Sequence, residues 1–158
     1  MSRLLDLAKV PVLKRGFCIV RCHAKVVLVR HADVPSGGGA DPSLTAQGHA
    51  RAVALCTLLG SAGVSKIIVS SFQRTQQTAQ PTATLLGLTP QVITEPPAIL
   101  TAIRALPRTA TVLVVGHTNT VPDVITGLGG PAVVIGAGEF DRLFVVVNGQ
   151  LVELRYGD

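Results

Sequence analysis

The chain predicts a single α/β domain, a three-layer α/β/α sandwich whose central sheet is mostly parallel, with an antiparallel edge and a C-terminal hairpin. Three observations point to it. From residue 25 onward, short β-branched runs alternate with stretches of helical period, the order that builds a parallel sheet covered on both faces. The 158 residues leave room for one core and no second domain. Near the end, two apolar runs flank Asn148-Gly149, the strongest short-range hairpin signal, which makes one edge antiparallel.

Taken in order, residues 1–24 stand apart. This segment holds five basic residues and one acid and keeps no period. Its apolar core, Gly16 to Val20, is bounded by Lys14-Arg15 and Arg21 and is shorter than the ~7 residues of a signal-peptide core. It is read as an N-terminal extension of a domain spanning 25–158, with an atypical anchor or a start codon placed too far upstream as alternatives; a cytoplasmic protein is expected, or an exported one if the segment is an atypical signal. KVVLV from Lys25 is a continuous β-branched run of the kind buried on both faces. Ser36 to Gly39 make a loop, after which Thr45 can cap a helix with Ala52, Val53, Cys56 and Leu59 at helical spacing, ended by Gly60 and Gly63.

KIIVS predicts the second strand and QRTQQTAQPTATLL the second helix, with a kink or break at Pro81 and a stop at Gly87. QVIT is a short strand, and Ala98 to Leu106 a short helix after Pro96-Pro97. TVLVV is a further buried strand. The helix after it opens on Thr118, Asn119, Thr120 and Pro122, which offer capping oxygens and a first-turn proline. RLFVVV and QLVELRY are the hairpin strands.

Composition removes several function classes. With 47% hydrophobic and 15% charged residues the chain can offset its ordering entropy by burial, so disorder is excluded. No apolar run reaches the ~18 residues of a membrane helix, so no membrane partner is expected. Aromatics are 3% and Trp is absent, which leaves little for base stacking, so nucleic acid is not expected either. The net charge of +5 comes from scattered residues and favours a phosphorylated or carboxylated substrate. Cys18, Cys22 and Cys56 lack zinc-type spacing and fit a reducing compartment, with Cys56 a small core residue.

In open parallel sheets, ligands sit at the carboxyl ends of the strands. The residues there form a pattern: Arg30-His31-Ala32-Asp33 after the first strand, Ser71-Phe72-Gln73-Arg74 after the second, and Gly116-His117-Thr118-Asn119 after the strand at 111–115. A lone histidine at a strand end is more often structural than catalytic. Two of them with two arginines on one rim reverse that balance. The arginine forks suit phosphate oxygens, and the helix start after His117 adds a positive dipole end. His31 or His117 can serve as nucleophile. Arg51, Arg104 and Arg108 are read as solvated surface residues, His49 as solvent-facing, and Gly37-Gly38-Gly39 as a loop without nucleotide-binding spacing. A metal site from His31, Asp33 and His117 is disfavoured because the arginines beside it repel a cation.

At these residues the chain resembles the histidine phosphatase superfamily, the phosphoglycerate-mutase-like fold. VVLVRHAD matches its opening strand and RHG signature, with Ala32 in place of the usual glycine. DPSLTAQGHARA, SSFQRTQQTA and VLVVGHTNTV match three further segments, so the likeness spans about Lys25 to Tyr156. The resemblance implies that His31 attacks phosphorus and becomes a phosphohistidine, while Arg30, Arg74 and His117 hold the equatorial oxygens and Asn119 adds to the phosphate subsite. It implies no metal and no cofactor. The general acid is expected at Glu95, which follows the short strand much as the family's acid does, with Asp33 as the competitor. Mutase members carry a long substrate-enclosing segment between the positions of Arg74 and His117; this chain does not, which favours hydrolysis. The expectation is a metal-independent phosphatase acting on a phosphomonoester of a small molecule. The alternatives are a phosphoprotein substrate, as for a protein phosphohistidine phosphatase, and a phosphate-binding pseudoenzyme.

Overall fold

The structure, a computed structural model, describes residues 23–157. The readings of residues 1–22, with Cys18 and Cys22 among them, lie outside the described residues. Six strands and four helices follow one another: β1 (Lys25–Arg30), α1 (Ala46–Leu59), β2 (Val64–Val69), α2 (Gln73–Leu86), β3 (Gln91–Val92), α3 (Pro96–Arg104), β4 (Thr111–Gly116), α4 (Thr120–Gly127), β5 (Arg142–Val147) and β6 (Gln150–Arg155).

The sheet runs β3-β2-β4-β1-β5-β6, with the first four strands parallel and β5 and β6 antiparallel. Because successive side chains of a strand point to opposite faces, β1 supplies both cores. Val26 and Leu28 pack with Ile99 and Ile103 of α3 and Val121, Val124 and Ile125 of α4. Val27 and Val29 pack with Leu55 and Leu59 of α1 and Ala79 and Ala83 of α2. This is the predicted three-layer sandwich. No helix among the described residues is long and apolar enough to cross a membrane.

Thr45 caps α1 as expected, its side chain accepting from the Gly48 amide. The buried face is only partly the predicted one: Ala52 and Leu59 are buried as expected, but Leu55 takes the place of Val53 and Cys56, since Val53 is 56% exposed and Cys56 half-buried. Apolar residues fill nearly every position from 52 to 59, so spacing alone could not single out the inward stripe. Arg51 is a second correction. It is buried, not solvated, because it carries an ion pair and two backbone carbonyls described below. Helix α2 continues through Pro81 to Leu86 without a break. Helix α3 starts at Pro96, two residues before the expected Ala98, because proline presets the helical φ and its missing N–H has no partner in a first turn. At the hairpin, Asn148 and Gly149 both take positive φ, 52° and 77°, the pairing a tight two-residue turn requires.

Chain order brings the site together. From β2 the chain goes outward to β3 and then returns to place β4 between β2 and β1. The carboxyl ends of β2, β4 and β1 are therefore neighbours on one rim, with Arg30 in register with Gly116.

Candidate active site

That rim opens into a cleft of about 400 Å³, ordinary for a small ligand, lined by Arg30, His31, Phe72, Arg74, Thr94, Glu95, Pro96, His117, Thr118, Asn119 and Thr120. All six residues assigned from sequence line it, and Asp33 does not.

His31 follows β1 directly and is 5% exposed. Its Nδ1 lies 2.9 Å from the Ala32 carbonyl oxygen. A carbonyl only accepts, so Nδ1 carries the ring proton and Nε2 keeps its lone pair. The Ala32 peptide is held from its other side, its N–H donating to Thr78 Oγ1 at 2.8 Å. Asp33 comes next, and its carboxylate is held by Arg51 Nε at 2.6 Å while Arg51 Nη1 donates to the Tyr156 and Gly157 carbonyls. Helix α1 crosses this turn so closely that a Cβ at Gly48 would collide with the Asp33 carbonyl. The backbone that presents His31 is thus clamped at two successive residues, and Asp33 belongs to that clamp instead of the rim.

His117 follows β4 with its ring centroid 5.4 Å from that of His31. Its Nε2 is 2.8 Å from Ser70 Oγ, a contact the sequence reading did not assign. If the serine hydroxyl donates to Nε2, Nδ1 holds the proton and can donate to an anion. Among the described residues no side chain caps the start of α4, whose Thr118, Asn119 and Thr120 line the cleft, so the positive end of its dipole faces it. The predicted capping oxygens are used otherwise: Asn119 Oδ1 accepts from Thr120 Oγ1 at 3.4 Å.

The arginines are fixed mainly by neutral groups. Arg30 Nη1 donates to the carbonyls of Gly136, Ala137 and Glu139 at 3.2, 2.7 and 3.1 Å, and its guanidinium lies 4.0 Å from the Phe140 ring centroid. Arg74 donates to the Ala40 carbonyl at 3.1 Å, lies 4.3 Å from the Phe72 ring, and meets Asp41 only at 3.6 Å. Much of their charge is unspent. The second cleft, lined by Asp33, Arg51, Glu139, Asp141 and Arg155 among others, differs in this respect: Arg51 pairs with Asp33 at 2.6 Å and Arg155 with Asp141 at 2.7 Å. Among the described residues, the first cleft therefore holds two arginines with no carboxylate closer than 3.6 Å, and the second does not.

Burial, and then the nearby arginines, push both histidines down to about 4; for His31 the Ala32 hydrogen bond opposes this. Both rings are neutral at pH 7, as a nucleophile requires. A folded-state value below the usual 6.5 means the unfolded chain binds more protons between about pH 6.5 and 4, so these histidines lower stability as pH falls through that window. Histidine NMR titration of the unliganded protein should show both rings neutral down to about pH 5; midpoints near 6.5 would contradict the buried geometry.

Glu95 sits at the N terminus of α3 with its side chain exposed at the cleft mouth and not used as a cap.

Residues 26–96 match the profile of the histidine phosphatase superfamily (branch 1). No curated protein sequence matches the chain. Among solved structures, the fold is similar to that of the protein histidine phosphatase SixA complexed with tungstate, at 20% identity and a TM-score of 0.67, covering 85% of this chain and 96% of that one. It is also similar to mycobacterial glucosyl-3-phosphoglycerate phosphatase with inorganic phosphate, at 14% identity and a TM-score of 0.65, covering 85% and 97%. A third likeness is to mycobacterial hydrolase 2, at 15% identity and a TM-score of 0.64, covering 78% and 82%.

Proposed function

We propose that the chain, whose residues 26–96 match the profile of the histidine phosphatase superfamily (branch 1), is a phosphatase of that superfamily and hydrolyses a phosphomonoester through a phosphohistidine formed on His31, with no metal required. One observation carries the reading: His31 is neutral, its Nδ1 proton is committed to the Ala32 carbonyl, and its Nε2 lone pair is left in a cleft with two arginines of largely unspent charge.

In the first half-reaction Nε2 attacks phosphorus, forming an N–P bond as the ester P–O bond breaks. Arg30, Arg74 and His117 donate to the three equatorial oxygens, whose charge is where most catalysis of phosphoryl transfer lies. Glu95 gives its proton to the departing oxygen. In the second half its carboxylate takes a proton from water, which attacks phosphorus, releases phosphate and restores His31. Asn119 and the start of α4 support the bound anion.

A second reading, a protein phosphohistidine phosphatase, is favoured by the open rim. Between α2 and β4 the chain supplies only the two-residue β3 and the short α3, so no long segment there encloses the cleft against a partner surface among the described residues. The SixA likeness is consistent with this but shows the fold alone.

Leaving-group dependence tests the role of Glu95. An alkoxide needs a proton to depart and p-nitrophenolate does not. With chelator present throughout, the wild type should turn over both an alkyl phosphate and p-nitrophenyl phosphate. Glu95→Gln should lower alkyl turnover by about two to four orders of magnitude and spare the aryl substrate by comparison. Asp33→Asn should affect both alike, because Asp33 acts through the backbone beside His31. The opposite pattern would reverse the two roles, and activity lost to chelator would end the metal-free reading.

A further inference from the structure

A guanidinium in a phosphate subsite must be held still without being neutralised. A carboxylate would hold Arg30 but spend its charge. Instead the Gly136–Phe140 segment supplies three carbonyls to Nη1 and a ring face at 4.0 Å. That segment is itself fixed: Glu139 Oε2 accepts from the Gly136 amide at 2.7 Å and from Arg142 Nη1 at 3.0 Å, and Arg142 is held by Glu153 across the hairpin. Phe140 also meets the His31 ring, centroids 5.9 Å apart, yet it does not line the catalytic cleft; it lines the second one. The arrangement is repeated on the other side, where Phe72 lies under Arg74 and meets His117 edgewise at 5.2 Å. Two of the chain's four phenylalanines are thus placed each between an arginine and a histidine of the site, which argues against chance packing.

We propose that Phe140 is a positioning residue of the reaction, holding Arg30 on its ring face and walling His31 without touching the phosphoryl group. The proposal rests on the phosphohistidine reading above. Its basis is that the π face attracts a cation but carries no net charge, so the fork is oriented and its charge remains for the substrate.

The test uses the full chain with Phe140→Leu, which keeps apolar bulk but removes the π face, and Phe140→Tyr, which keeps both. The readouts are kcat and KM for p-nitrophenyl phosphate, inhibition by vanadate, and the thermal midpoint. Leucine should lower kcat and weaken vanadate inhibition by about tenfold, the scale of a desolvated cation–π contact, with KM and the thermal midpoint close to wild type. Tyrosine should restore both. Wild-type kcat and vanadate inhibition in Phe140→Leu would overturn the proposal, as would equal losses in the two variants, since that means packing alone. A wild type that neither turns over nor binds vanadate overturns the underlying reading and this proposal with it; a wild type active through His31 with an indifferent Phe140 overturns the proposal only.

Discussion

Replacing His31 by alanine is expected to reduce phosphatase turnover by about four orders of magnitude or more while the chain stays folded. The size follows from the role: without a nucleophile there is no covalent intermediate, and only the charge stabilisation of the remaining cleft is left. His31 lies on a turn held by Ala32–Thr78 and Asp33–Arg51, neither of which needs the imidazole. The folded structure should therefore survive, and circular dichroism with thermal unfolding checks this beside the assay. Retained activity in a folded variant would remove His31 from the chemistry.

Arg74→Ala should give the second largest loss, about 10² to 10³ in kcat/KM, the usual cost of removing one preorganised donor to developing charge. Inhibition by vanadate and phosphate should weaken with it. Arg74 is set at the first turn of α2 and held by the Ala40 carbonyl and the Phe72 face, with Asp41 too distant to absorb its charge fully. Its removal thus takes away a cation that the anion would otherwise meet, without unpairing a buried carboxylate. Unchanged vanadate inhibition would place Arg74 outside the phosphate subsite.

The rim was readable because its logic is local to strand ends. A β-branched run buried on both faces announces its own end, and in a parallel sheet those ends share one edge, so Arg30, His31, Arg74 and His117 could be gathered without any distance in hand. Glu95 could be placed for the same reason, although β3 shrinks to two residues at the sheet edge, where one strand neighbour gives little reason for regular pairing. What stayed hidden depends on partners far along the chain. Arg51 looks like any basic helix residue until Asp33, 18 positions back, and the Tyr156 carbonyl, 105 positions on, are brought to it by the fold. The Phe140–Arg30 contact joins the end of β1 to a segment without periodicity, so no spacing rule could reveal it. Ser70, by contrast, left a signal: it is the first residue after β2, where the same strand-end rule could have marked it as a partner for His117.

The central claim is a phosphoryl group carried on His31, and trapping tests it most directly. Brief reaction with a labelled phosphomonoester, quenched in alkali and digested, should yield a single phosphopeptide containing His31, stable to base, labile to acid and absent from His31→Ala. Label found on a serine, an aspartate or His117, or turnover in which none of the enzyme is phosphorylated, would contradict the account.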